Sequence, residues 1–93
     1  MTFDKDYIAV ITGACGGIGE SVAHALAKEG VSLALLDNNA SQLATLVATL
    51  QNNHPQPIAG FNVDVADDRS VAEAFTAIGR QLGPVGYLCL LYT

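Results

Sequence analysis

From Thr12 to Gly19 the chain reads Thr-Gly-Ala-Cys-Gly-Gly-Ile-Gly, a turn whose glycine spacing suits close contact with phosphate. Gly13 lets the backbone turn sharply off a preceding strand. Gly17 removes a Cβ where the main chain must approach a pyrophosphate, and Gly19 lets the following helix lie tightly on a sheet. The helix that opens here directs its unpaired N–H groups and the positive end of its dipole at the same anion. Cys15, Gly16 and Ile18 lie within the turn and complete the candidate cofactor-binding set there. Asp37 closes the next apolar run, about 20 residues further on, where a carboxylate accepts hydrogen bonds from the adenosine ribose hydroxyls of a dinucleotide. It would repel a 2′-phosphate, and Cys15, Asn38 and Asn39 are all neutral. The pattern predicts NAD as cofactor, preferred over NADP. The plainer alternatives are a tight turn with no ligand and an exposed Asp capping the next helix.

Other reactive side chains offer less. Cys15 sits at a helix N-terminus, where a thiol pKa can fall, so a redox role stands against that of an ordinary loop position. Cys89 reads as a core residue, and Tyr92 lies where a sheet's carboxyl edge could meet a ligand or simply fray. His24 and His54 stand apart from each other and from any acid or cysteine cluster, so no metal site is expected.

The elements that must position these residues alternate in type. Residues 7–12, 31–36, 58–63 and 85–91 are short apolar runs, the first three bounded on both sides by Gly, Pro or Asp and the fourth opened by Pro84, and are expected to be buried strands. Between them lie three amphipathic stretches. The first, 17–29, is expected to bury Ile18, Val22, Ala25 and Leu26 and to carry Glu20, His24 and Lys28 as a solvated ladder. The second starts at Asn39, with Gln42 three residues on as in a capping box, and its inward stripe is Leu43, Leu46, Val47 and Leu50. The third is capped by Asp67, with Asp68 in its first turn, and buries Val71, Ala74, Phe75, Ile78 and Leu82 before Gly83-Pro84 stops it. Apolar strands alternating with amphipathic helices imply an α/β fold with a parallel sheet covered on both faces. The expected architecture is a Rossmann-type doubly wound sheet, βαβαβαβ, with four strands in order 3-2-1-4. The first two helices cover one face and the third the other, and a dinucleotide sits at the carboxyl ends where the strand order reverses.

In its spaced form the turn resembles the TGxxxGIG cofactor motif of the short-chain dehydrogenase/reductase family, and the resemblance extends over residues 7 to about 89. Asn62-Val63-Asp64-Val65 is similar to that family's Asp-Val pair after the third strand, and Gly83-Pro84-Val85 to its entry into the fourth. The resemblance implies that Asp64 and Val65 hold the adenine ring. It also implies a serine and a Tyr-x-x-x-Lys pair for catalysis, well downstream in a full-length enzyme. No such pair occurs here: four residues after Tyr7 is Ile11, and four after Tyr87 is Leu91. Where family members usually continue into Asn-Asn-Ala-Gly, this chain has Leu90-Leu91-Tyr92-Thr93. No catalytic residue is assigned. The expectation is one incomplete domain, 1–93, forming the N-terminal dinucleotide-binding segment of an oxidoreductase. The alternatives are a non-catalytic nucleotide-binding or interaction module and a truncated fragment without function of its own.

Composition narrows the setting. With 93 residues, 51% hydrophobic and 14% charged, the chain suits one small core and excludes a disordered polymer. Four basic residues against nine acidic ones, a net charge of −5, leave no basic stripe for nucleic acid. No apolar run approaches the roughly 20 residues that span a bilayer, and the acidic start MTFDKDY is unlike a secretory signal. Two cysteines make no disulfide framework, so a reducing, cytoplasmic location is expected. Self-association through an open sheet edge or an uncovered apolar face around Leu88, Leu90 and Leu91 is expected as well.

Overall fold

The computed structural model describes residues 8–64, 66–83 and 85–89, the last of these by their backbone. Seven elements alternate along the chain: β1 (Ile8–Thr12), α1 (Gly17–Lys28), β2 (Ser32–Asp37), α2 (Ala40–Asn53), β3 (Ile58–Asn62), α3 (Asp68–Gln81) and β4 (Val85–Cys89). The four strands form one parallel sheet in the order β3-β2-β1-β4. The α/β doubly wound architecture is the one the sequence pattern implies. Tyr7, Val65, Pro84 and residues 90–93, the ends of two expected strands among them, lie outside the described residues.

Strand alternation divides the core between two faces. Ala9, Ile11, Leu33 and Leu35 point to one side, where they meet Ala23 and Ala27 of α1 and Leu43, Leu46 and Leu50 of α2. Ile8, Val10, Ala34 and Leu36 point to the other and meet Ala74 and Ile78 of α3, with Val71, Phe75 and Leu82 partly buried beside them. The two central strands are buried at almost every position because helices cover both faces, which explains their unbroken apolar sequence. β3 lies at the sheet's edge and alternates between covered and open residues.

Both later helices begin as their sequences imply. Asn39 Oδ1 accepts the Gln42 N–H at 3.1 Å, and Asp67 Oδ1 accepts the N–H groups of Arg69 at 3.0 Å and Ser70 at 3.4 Å. The expected capping box at Asn39 is half realised, because the Asn39 N–H donates to Asp37 Oδ1 instead.

The expected inner face of α1 needs correction. Ile18 is 67% exposed and Ala25 is also exposed, whereas Gly19, Ala23 and Ala27 are buried, with Val22 and Leu26 half-buried on either side. The helix turns its smallest residues, spaced four apart, toward the sheet. The reason is distance: a Cβ on Gly19 would overlap the Gly13 carbonyl oxygen and lie 3.0 Å from Ala14 Cα. A helix seated that closely has no room for Ile18 on the same side. On the outer face, His24 Nε2 lies 3.8 Å from Glu20 Oε1, the first rung of the expected solvated ladder.

Candidate dinucleotide-binding site

The site is built where the strands end. Register pairs Thr12 with Leu36 and Asp37 with Asn62, so the turn after β1, the end of β2 and the segment after β3 share one edge of the sheet. Three cross-links fasten this edge. The Ala14 N–H donates to the Leu36 carbonyl at 3.2 Å, the Cys15 N–H to Asp37 Oδ2 at 2.9 Å, and the Val63 N–H to the Asp37 carbonyl at 3.0 Å.

Within the turn, Gly13 has φ of 65°, a left-handed conformation that side chains rarely adopt, and its carbonyl accepts the Gly16 N–H at 3.1 Å. The glycine of this turn that needs positive φ is therefore Gly13; Gly17 does not have one. Gly16 is the N-cap of α1 and supplies no side-chain acceptor. The first helical hydrogen bond runs from Glu20 N–H to the Gly16 carbonyl at 2.8 Å. The N–H groups of Gly17, Ile18 and Gly19 thus precede it, in the positions a helix leaves without an intrahelical acceptor. A Cβ on Gly17 would meet nothing within 4 Å. That glycine is not required by the fold's packing, and the space before it is open to a ligand. Exposed Ile18 stands beside the same opening.

These features fit a dinucleotide: uncapped helix amides for the pyrophosphate, open space at Gly17, and a carboxylate at the end of β2. Each Asp37 oxygen accepts one backbone N–H, Oδ2 from Cys15 and Oδ1 from Asn39, both at 2.9 Å. A carboxylate offers about four lone-pair sites, so the two amides, together with the Cys15 thiol that also hydrogen-bonds to Asp37, leave room for a ribose hydroxyl. Asp64 follows β3 on the same edge and is exposed; its Oδ1 accepts the Ala66 N–H at 2.9 Å. Val65, the residue paired with it in the Asp-Val motif, lies outside the described residues, as does the Cys89 side chain.

At Cys15 the lowering of a thiol pKa that a helix N-terminus can bring does not occur. Its thiol is pushed above the ordinary value, first by burial, then by the charge and hydrogen bonding of Asp37, and by the charge of Glu20. The acidic, partly enclosed setting outweighs the helix terminus that favours a thiolate. The bond from its amide to Asp37 was not legible in the sequence, since the partners are 22 residues apart and no local pattern announces it. Among the described residues no group of three or more His, Cys, Asp or Glu could hold a metal ion, and no helix is long and apolar enough to cross a membrane.

Comparison with known proteins agrees with this geometry. Residues 7–90 match the pattern of the short chain dehydrogenases. A 2,3-dihydro-2,3-dihydroxybenzoate dehydrogenase of Bacillus subtilis is 39% identical over 83 residues, which is 87% of this chain and 31% of that enzyme. Among solved structures, a short chain dehydrogenase/reductase from Burkholderia phymatum in complex with NAD superposes with a TM-score of 0.85 at 33% identity, covering 94% of this chain and 31% of the other. An alcohol dehydrogenase from the archaeon Thermococcus sibiricus, complexed with 5-hydroxy-NADP, gives 0.84 at 33% identity, covering 88% and 35%. The chain thus spans about a third of the length of these relatives. With the glycine turn, the strand-end carboxylate and the sheet order all in place, and nearly the whole chain matched, this protein belongs to the short-chain dehydrogenase/reductase family.

Proposed function

We propose that this chain is the N-terminal dinucleotide-binding segment of an oxidoreductase of this family, that it binds NAD in preference to NADP, and that as a 93-residue polypeptide it does not itself catalyse hydride transfer. The observation that carries the reading is the start of α1: three amide N–H groups precede the first helical bond, no side chain among the described residues caps them, and open space lies in front of Gly17. Gly13, Cys15, Gly16, Gly17, Ile18 and Gly19 form the pyrophosphate side of the site. Asp37 takes the adenosine ribose, and Asp64 and Val65 take adenine, as the family resemblance implies.

Cofactor choice does not follow from the fold, since one similar structure holds NAD and another a derivative of NADP. It rests on Asp37, a carboxylate where a 2′-phosphate would lie, with no Lys or Arg next to it in sequence. Two further parts of the reading are a reducing, cytoplasmic setting, supported by the chain's sparing use of cysteine, and self-association through β4, which is paired on one side only in the described sheet.

Calorimetric titration with NAD, NADP and ADP-ribose tests the main claim. NAD should bind more tightly than NADP, and Asp37→Ala should weaken NAD and narrow the gap. Equal or tighter binding of NADP by the unmodified chain would refute the preference; no binding of any of the three would refute the site.

A further inference from the structure

Asp37 ends β2, and Cys15 lies in the turn leaving β1, yet the Cys15 N–H reaches Asp37 Oδ2 at 2.9 Å. We propose that Asp37 is a positioning residue for the glycine-rich turn as well as a ribose acceptor: its carboxylate clasps the turn in its phosphate-accepting shape before any nucleotide arrives. The proposal deepens the dinucleotide-binding reading and rests on it for its functional consequence.

The hydrogen-bond inventory of the turn supports the clasp. Ala14 N–H is held by the Leu36 carbonyl, and Gly16 N–H by the Gly13 carbonyl. The amide between them, that of Cys15, has the Asp37 carboxylate as its acceptor. A bond to a charged acceptor is roughly twice as strong as a neutral one. Without it a part-buried N–H loses its acceptor at the point where the chain leaves the sheet for α1. The second oxygen is fixed by Asn39 N–H at 2.9 Å, so the carboxylate is itself held from the far side and cannot swing away freely. Asp37 therefore joins the shape of the turn to the recognition of ribose. Its replacement should disturb both, including the binding of nucleotides that carry no ribose hydroxyl for it to receive.

Two measurements on the whole chain decide this. The first is amide hydrogen exchange at Cys15 without nucleotide, for the unmodified protein, Asp37→Ala and the near-isosteric Asp37→Asn. Cys15 exchange should rise about tenfold or more in Asp37→Ala while β1 amides keep their protection; Asn, with one acceptor oxygen, should expose either the Cys15 or the Asn39 amide. The second is the affinity for ADP and for 2′,3′-dideoxy-ADP, which lacks both hydroxyls. Asp37→Ala should weaken the dideoxy nucleotide about 3- to 10-fold and ADP by more. Unchanged Cys15 exchange in both variants, or a dideoxy affinity indifferent to Asp37 while ADP is weakened, would overturn the clasp and leave a ribose contact only. If neither nucleotide binds the unmodified chain, the cofactor reading fails separately, and the exchange result alone judges the clasp.

Discussion

At the scale of single residues, two glycines two positions apart do different work, and substitution separates them. Gly19 is a packing requirement: an added methyl would overlap the Gly13 carbonyl and crowd Ala14. Gly19→Ala is expected to cost about 1–3 kcal/mol of stability, as overpacked sites do, read from urea denaturation. Gly17 meets open space and has no positive φ. Gly17→Val should keep the circular dichroism spectrum and denaturation midpoint nearly unchanged while lowering adenine-dinucleotide affinity at least about tenfold, because its branched side chain would stand where the proposed site receives the pyrophosphate. Full affinity in a folded Gly17→Val would show the turn to be structural only. Cys15 supplies a second contrast. A raised thiol pKa means less thiolate at any given pH, so alkylation near neutrality should be slower than that of an unstructured cysteine peptide, and its pH profile should inflect higher. Measured on a Cys89→Ser background, Asp37→Asn should move the inflection down only in part, since burial is the larger cause. Faster alkylation of Cys15 than of the peptide would contradict the geometry around it.

At the scale of elements, the later helices depend on caps that a reader of the sequence can name. Asn39→Ala and Asp67→Ala each remove the acceptor for first-turn amides, and each should cost about 1 kcal/mol in denaturant unfolding. Asn39→Ser, which can still accept from Gln42 N–H, should recover most of the loss; equal losses for Ala and Ser would argue against capping. These starts were legible because cap and amide lie within three residues of each other. The strands were legible because coverage on both faces demands unbroken apolar runs, as in β1 and β2. The inner face of α1 was not. Hydrophobicity favoured Ile18 and Ala25, but close approach selected Gly19, Ala23 and Ala27, and only the three-dimensional distance between helix and turn makes that choice visible. In the candidate site, the glycine turn and Asp37 stand out in the sequence because their spacing is regular, and the structure brings them to one edge of the sheet. The tie between Asp37 and the Cys15 amide could not, because it joins separate strand ends. Edge position gives a further expectation. In the described sheet β1 is hydrogen-bonded on both sides and β4 on one, with a shift of register between Ile8 and Ala9. Amides of 85–89 should exchange faster than those of 8–12, and raising protein concentration should slow them if copies pair through that edge. Equal protection in both strands, together with a monomer at high concentration, would refute the weak edge and the self-association.

At the scale of the whole molecule, what matters is how much of a reaction this chain can support by itself. Hydride transfer to a carbonyl or from an alcohol needs a group that gives or takes the proton at the substrate oxygen. In the family such a role falls to a tyrosine four residues before a lysine, and no tyrosine of this chain stands at that spacing. The chain spans about a third of the length of the relatives it matches, and in the proposed reading it supplies the strands and helices around the adenosine and pyrophosphate. The purified 93-residue polypeptide is therefore expected to show no dehydrogenase activity with a panel of secondary alcohols. Its nucleotide affinity should come mostly from the adenosine side, because in that reading the glycine turn, Asp37 and Asp64 all address that half. ADP-ribose should then bind within a few-fold of NAD, and the two should lose affinity together in Gly17→Val. Steady NADH production by the chain alone, or NAD binding far tighter than ADP-ribose, would mean that it carries a proton-transfer or nicotinamide-holding group other than a Tyr-x-x-x-Lys pair. Activity that appears only when a second polypeptide bearing a Tyr-x-x-x-Lys pair is added would assign catalysis to that partner and leave this chain the binding of the cofactor.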